Sequence, residues 1–220
     1  MSFEPPIRPL FHDRTDAGRV LAADLAAYAG RSDIIVLALP RGGVPVAYEV
    51  ARALGAPLDV FLVRKLGLPG QEEFAMGAIA SGGIRLINEQ VVEAYGISDA
   101  EIESVAAAEQ RELYRRERSY RDGRPLTELA GRTVILIDDG LATGFTMRAA
   151  VLAIRQEAPA RIVVAVPVAA AETCDEFRAL VDDIVCSETP EPFQAVGIWY
   201  EDFAQTTDAQ VHELLSVAKG

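Results

Sequence analysis

Two adjacent carboxylates, Asp138 and Asp139, close a run of four apolar residues, Val134-Ile135-Leu136-Ile137. They are followed by Gly140-Leu141-Ala142-Thr143-Gly144-Phe145-Thr146, a stretch of small residues with two threonines. An apolar run of this kind suits a buried strand, and ligands bind at the carboxyl ends of the strands of open parallel sheets. The backbone N–H groups of such a loop, with the start of a following helix, form an anion site. The Thr143 and Thr146 hydroxyls add donors. The two aspartates repel a phosphate placed beside them, so they are expected to address sugar hydroxyls such as those of ribose, or a hydrated cation. There is no lysine after the glycines for a Walker loop and no Gly-x-Gly-x-x-Gly opening a helix after a strand.

A second anion-binding pattern follows an earlier apolar run, Ile34 to Leu39. Pro40-Arg41-Gly42-Gly43 combines glycines, which let a backbone approach an anion closely, with an arginine that can grip it through two donors. On its own this pattern is equally a strand-to-helix turn. Arg64 to Gly83 holds five glycines and one proline among charges. It is too long for a tight connection and reads as a functional loop, a ribbon or a mobile lid. Its basic residues are Arg64 and Lys65, with Glu72 and Glu73 further along. Phe193 to Phe203 carries the sole tryptophan, Trp199, among other aromatics.

The elements that must position these groups follow from periodicity. Apolar residues at Val20, Leu21, Leu25 and Tyr28 predict a helix over Asp16–Ala29, with Thr15 as N-cap and Gly30 as its stop. Strands are expected at Ile34–Leu39, Pro57–Val63, Ile84–Ile87, Thr133–Ile137, Arg161–Val166 and Asp183–Cys186. Helices are expected at Val44–Leu54, Thr146–Ile154 and Glu172–Leu180. Ser98 and Glu101 form a capping-box pattern opening a charged helix to about Tyr120. Strands alternating with helices predict an α/β fold, a mainly parallel sheet with helices on both faces.

Composition bounds the rest. The 220 residues are 50% hydrophobic and 25% charged, with a net charge of −12. That balance suits one soluble domain and argues against broad nucleic-acid binding. Six basic residues between Arg111 and Arg124 alternate with Glu109, Glu112 and Glu117, as on a solvated helix face. Cys174 and Cys186 have no metal-ligand spacing and are expected to be a reduced pair. Met1–Leu10 lacks an apolar signal core, no run is long enough to cross a bilayer, and a cytoplasmic location is expected. His12 and His212 lie outside every motif.

The stretch Val134 to Met147 resembles the signature of the type I phosphoribosyltransferases: four apolar residues, two acids, a short variable piece, then Thr-Gly-x-Thr. The chain as a whole is similar to bacterial proteins provisionally named as phosphoribosyltransferases. The resemblance implies one domain over residues 1–220, with a flexible loop at about 64–83 and a hood from the C-terminal segment 191–220. It implies that phosphoribosyl pyrophosphate (PRPP) binds with its 5-phosphate on Leu141, Ala142, Thr143, Gly144, Phe145 and Thr146, and its pyrophosphate on Arg41, Gly42 and Gly43. Asp138 and Asp139 would face the ribose hydroxyls, and hold Mg2+ indirectly through ribose oxygens or water. Lys65 of the lid joins these two acids as a catalytic candidate. A nucleobase, purine favoured, would sit against Phe193, Val196 and Trp199, with Phe193 and Trp199 competing to stack on it. The peptide before Arg41 is often cis or strained in the family. A homodimer is expected. Many purine-salvage members carry an Asp where this chain has Ala142, which leaves the general acid or base open. A PRPP- or nucleotide-binding regulator of the same fold, and a transferase to a non-purine acceptor, are the alternatives.

Overall fold

The computed structural model describes residues 8–218. The chain runs α1 (Arg14–Asp24), β1 (Ile34–Ala38), α2 (Gly43–Leu54), β2 (Leu58–Val60), β3 (Val63–Leu68), β4 (Gln71–Ala80), β5 (Ile84–Ile87), α3 (Glu89–Tyr95), α4 (Asp99–Arg121), β6 (Thr133–Ile137), α5 (Phe145–Gln156), β7 (Arg161–Val168), α6 (Ala171–Arg178), β8 (Asp183–Glu188) and α7 (Asp208–Val217).

Five strands form a parallel sheet in the order β2-β1-β6-β7-β8. β1 and β6 pair in register, Ile34 opposite Thr133 through Ala38 opposite Ile137. All five residues of each strand are buried, which is why both read as continuous apolar runs. Alternate side chains serve opposite faces. Ile34, Val36, Ala38, Ile135 and Ile137 pack with α1, α2 and α7 through Leu21, Val46, Val50 and Leu215. Ile35, Leu37, Val134 and Leu136 pack with α5 and α6 through Met147, Val151, Ile154 and Phe177.

From β1 the chain passes to β2 on one side, and β6 later enters on the other. The strand order therefore reverses between β1 and β6, and the crevice beyond their carboxyl ends is where an open α/β sheet takes its ligand.

Residues 64–83, expected as a loop, ribbon or lid, form most of a three-stranded antiparallel ribbon, β3-β4-β5. Leu66, Leu68, Met76 and Ile79 are buried, and the ribbon packs on α4 and α5. Of the three readings the segment takes the ribbon, and alternating apolar residues anchor it despite its glycines. The side chains of Glu72 and Glu73 lie outside the described residues.

Other expectations change locally. Asp13, not Thr15, caps α1, its carboxylate accepting from Asp16 N at 2.8 Å. The Ser98–Glu101 capping box is present at α4. Arg115 and Arg116 pair with Glu112 on a solvated face. Arg121 is instead buried, because Asp59 in the middle of β2 accepts from its Nε at 2.9 Å and Glu117 accepts from Nη1 at 2.8 Å. Cys174 and Cys186, expected as free thiols, are joined by a disulfide. α6 leads directly into β8 and packs beside it, a geometry that a spacing of 12 residues does not reveal. Among the described residues no helix is long and apolar enough to cross a membrane.

Candidate active site

The site begins where β1 and β6 end side by side. Leu39 N donates to Ile137 O at 2.8 Å, which holds the turn after β1 against the acids after β6. The Pro40–Arg41 peptide is cis. Gly42 and Gly43 then pass close to both carboxylates. A Cβ on Gly42 would lie 2.0 Å from Asp139 Oδ2, and one on Gly43 would lie 2.9 Å from Asp138 Cα. Glycine is required here by close approach, since Gly42 has ordinary helical φ and ψ.

The two acids have different surroundings. Asp138 Oδ1 accepts from the Asp139 N–H at 2.9 Å. Burial, followed by the charge of Asp139, pushes its pKa well above the usual carboxylate range. Burial also raises Asp139, but the Arg14 guanidinium opposes that rise. Arg14 Nε donates to Asp139 Oδ2 at 2.7 Å, with the two side chains only 11% and 16% exposed. Tyr200 Oη donates to the Asp139 carbonyl at 2.5 Å, and burial raises the tyrosine pKa. Neither Arg14 nor Tyr200 stands out in the sequence. Their partner lies 125 and 61 residues away, and only the N-terminal helix and C-terminal hood, folded together, bring them to it.

The loop after the acids is held from below. Leu141 N donates to Val168 O at 2.9 Å, and Ala170 N donates to Leu141 O at 3.0 Å. Thr173 Oγ1 of α6 donates to Ala142 O at 2.6 Å. Gly144 begins α5 in the left-handed region, at φ 71°. Having no side chain, it cannot cap the helix, so the first-turn N–H groups of α5 face the loop as donors for an anion. Leu141 through Thr146 thus form the turn from β6 into α5 directly beyond Asp138 and Asp139.

Arg41 Nη1 stands 3.8 Å from Asp208 Oδ1, and Asp208 also accepts from Tyr120 Oη at 2.5 Å. Lys65 of the ribbon instead approaches the start of α5, its Nζ 5.1 Å from the centroid of the Phe145 ring. Arg64 is paired instead with Glu109 of α4.

The hood covers the other side. Val196 closes over Gly140, with its Cγ1 2.4 Å from where a Cβ of that glycine would be. Phe193 is half-buried and lies tilted on Trp199, with ring centroids 6.4 Å apart. Trp199 is 6% exposed and packs with Phe11, Val168 and Tyr200. A cavity of about 560 Å³ opens beside Phe193, lined by Ala170, Ala171, Glu172 and the chain from Pro190 to Pro192. The hydrogen bond from Ala170 N to Leu141 O makes its wall continuous with the anion loop.

A parallel sheet with a glycine-containing strand-to-helix loop and two carboxylates at its topological switch point places the chain among the open α/β domains that bind ligands there. Within that class, residues 11–201 match the phosphoribosyl transferase domain model, and the chain belongs to that family. Two Mycobacterium tuberculosis proteins, from strains CDC 1551 and H37Rv, carry the provisional name phosphoribosyl transferase. Each is 45% identical over 209 residues, covering 95% of this chain and 47% of its own length. The chain thus spans about half the length of the curated relatives it matches. The crystal structure of TT1426 from Thermus thermophilus superposes with a TM-score of 0.82 at 44% identity, covering 96% of this chain and 99% of that one.

Proposed function

We propose that this domain transfers the phosphoribosyl group of PRPP to a nucleobase, a purine by preference, releasing pyrophosphate. The observation that carries the reading is the convergence of three features at the ends of β1 and β6: the loop Leu141–Thr146 leading into α5, the acid pair Asp138–Asp139, and the glycine turn Arg41–Gly43. Each answers one part of PRPP.

The 5-phosphate sits in the cup formed by Leu141, Ala142, Thr143, Gly144, Phe145 and Thr146, where backbone N–H groups and threonine hydroxyls donate to its oxygens. Asp138 and Asp139 accept from the ribose hydroxyls. The pyrophosphate lies along Gly42 and Gly43, with Arg41 and Lys65 as its cations. As the bond to pyrophosphate lengthens, positive charge grows on the ribose ring. The two carboxylates are the nearest fixed negative charges to it, and in a site closed to water they stabilise it. A base nitrogen then attacks C1′ from the side of the hood. No protein nucleophile is needed.

No cluster of three or more metal-ligating side chains occurs among the described residues. The donor set still fits Mg2+, which takes one or two carboxylates and completes its shell with water and substrate phosphate oxygens. Asp138 and Asp139 would hold it through ribose oxygens or water, and it would neutralise the departing pyrophosphate.

The acceptor is placed in the cavity beside Phe193, which is accessible enough to stack on a ring, whereas Trp199 supports it from beneath. Val196 closes the floor. Glu172 and Glu191 on the cavity wall accept from N–H donors of a base. A homodimer is part of this reading: Phe145 and Leu152 are 37% and 42% exposed and border an apolar cavity between the ribbon and α5.

The test is pyrophosphate release by purified protein given Mg2+, PRPP and each common base in turn. Release with one or more purines is expected. Release only with a non-purine acceptor would move the substrate assignment. PRPP binding without release under any base would favour a regulator.

A further inference from the structure

The Arg14 side chain meets three separate parts of the chain: Asp139 after β6, the adjacent residues Phe203 and Ala204, and the Gly42 turn. Asp13 caps α1 one residue earlier, which fixes the backbone from which Arg14 springs. Its Nε donates to Asp139 Oδ2 at 2.7 Å. Its Nη1 donates to the Ala204 carbonyl at 2.7 Å. Its guanidinium lies over Phe203, 3.9 Å from the ring centroid. The Nε is also 3.2 Å from where a Cβ of Gly42 would lie, so the same group packs against the turn proposed to take pyrophosphate.

This arrangement addresses a physical problem in the acid pair. Two neighbouring carboxylates in an enclosed site repel each other, and each can relieve the repulsion by rotating away or by taking a proton. Either response would spoil a surface meant to accept from two sugar hydroxyls. Asp139 is gripped at its side chain by Arg14 and at its carbonyl by Tyr200. The Asp138 carboxylate accepts only from the neighbouring Asp139 N–H among the described residues. The pair is therefore asymmetric, with one acid locked and the other left to meet the ligand.

We infer that Arg14 is a positioning residue of the phosphoribosyl site, acting through Asp139 to hold the acid pair in the orientation that accepts the ribose hydroxyls. The inference rests on the PRPP reading above. Arg14 need not touch the ligand. Its planar fork matters because one group must serve a carboxylate, a carbonyl and an aromatic face together, which a lysine ammonium cannot do.

The experiment is a double-mutant cycle on PRPP affinity, measured by titration calorimetry with Mg2+ present, using wild type, Arg14→Gln, Asp139→Asn and the double variant, with a melting temperature for each. Arg14→Gln is expected to weaken PRPP binding about tenfold or more, and the double variant to bind within about threefold of Asp139→Asn alone, because Arg14 acts only through Asp139. Additive losses in the double variant, or unchanged affinity in a folded Arg14→Gln protein, would overturn the inference. If Arg14→Gln does not fold, Arg14→Lys decides. Affinity between wild type and the Asp139→Asn value at a near-native melting temperature supports the inference, and wild-type affinity refutes it. Absence of PRPP binding by wild type would be seen before any variant is made, and would remove the proposed function and this inference together.

Discussion

Gly42 passes so near Asp139 that a Cβ on the glycine would sit 2.0 Å from the carboxylate Oδ2. The turn proposed to take pyrophosphate and the acid proposed to take ribose are thus in direct contact, and neither can move alone. Gly42→Ala should force the Asp139 carboxylate from its place between Gly42 and Arg14. Overpacking of this kind costs about 1–3 kcal/mol. Urea unfolding should show a loss in that range, and calorimetry should show weakened PRPP binding. Wild-type affinity in Gly42→Ala would mean that the acid has room the geometry denies it.

From α6, Thr173 supports the loop proposed to take the 5-phosphate, donating to the Ala142 carbonyl at 2.6 Å. Thr173→Val keeps the shape and removes the donor. The expected loss of stability is about 1 kcal/mol, the net worth of one hydrogen bond. PRPP affinity should fall as well, since the carbonyl it steadies belongs to the loop. A stability loss with unchanged affinity would assign Thr173 to folding alone.

The ribbon is expected to behave as core. Leu66 and Met76 are fully buried in it. Leu66→Ala should cost about 2–5 kcal/mol, as for other large-to-small core changes. Amide exchange across the β3–β4 pairing should be slow, as in core strands. Fast exchange there, with little loss in Leu66→Ala, would restore the picture of an unanchored lid.

The strand–loop–helix arrangement around Asp138 to Thr146 was legible because it is contiguous: a buried strand, two acids, small residues and a helix start. The β1–β6 core was equally legible, since strands buried on both faces leave unbroken apolar runs. Arg14 was not legible. Periodicity started its helix at Asp16, and the partner that gives Arg14 meaning is 125 residues away. Trp199 shows a different limit. Its type and place in the hood are plain from sequence, but its burial beneath Phe193 depends on Phe11 and Val168, which arrive from distant elements. In residues 64–83 the glycines pointed to a loop, while the alternation of Leu66 with Leu68 and of Met76 with Ala78 and Ala80 was the ribbon signal. Arg121 matched its charged neighbours in type and differed only in facing Asp59.

His12 ties the N-terminal segment to the hood, its Nδ1 2.8 Å from Glu201 Oε2. The hydrogen bond to Glu201, with that carboxylate's charge, raises the imidazole pKa above 6.5. A pKa raised on folding gives stability that is fully present below the unfolded value and lost as pH rises through the folded one. NMR titration should therefore place His12 above 6.5, and Glu201→Gln should bring it down. An unchanged titration in that variant would show that the pair does not form in solution.

Titration calorimetry of PRPP with Mg2+ on wild type and Asp138→Asn decides whether the loop from Asp138 to Thr146 binds PRPP. Wild type should bind one PRPP per chain. Asp138→Asn should bind more than about tenfold weaker, the worth of a hydrogen bond to a charged group. Its melting temperature should be equal or higher, because the substitution removes a buried carboxylate beside another. Undiminished PRPP affinity in a folded Asp138→Asn protein would place PRPP away from these acids.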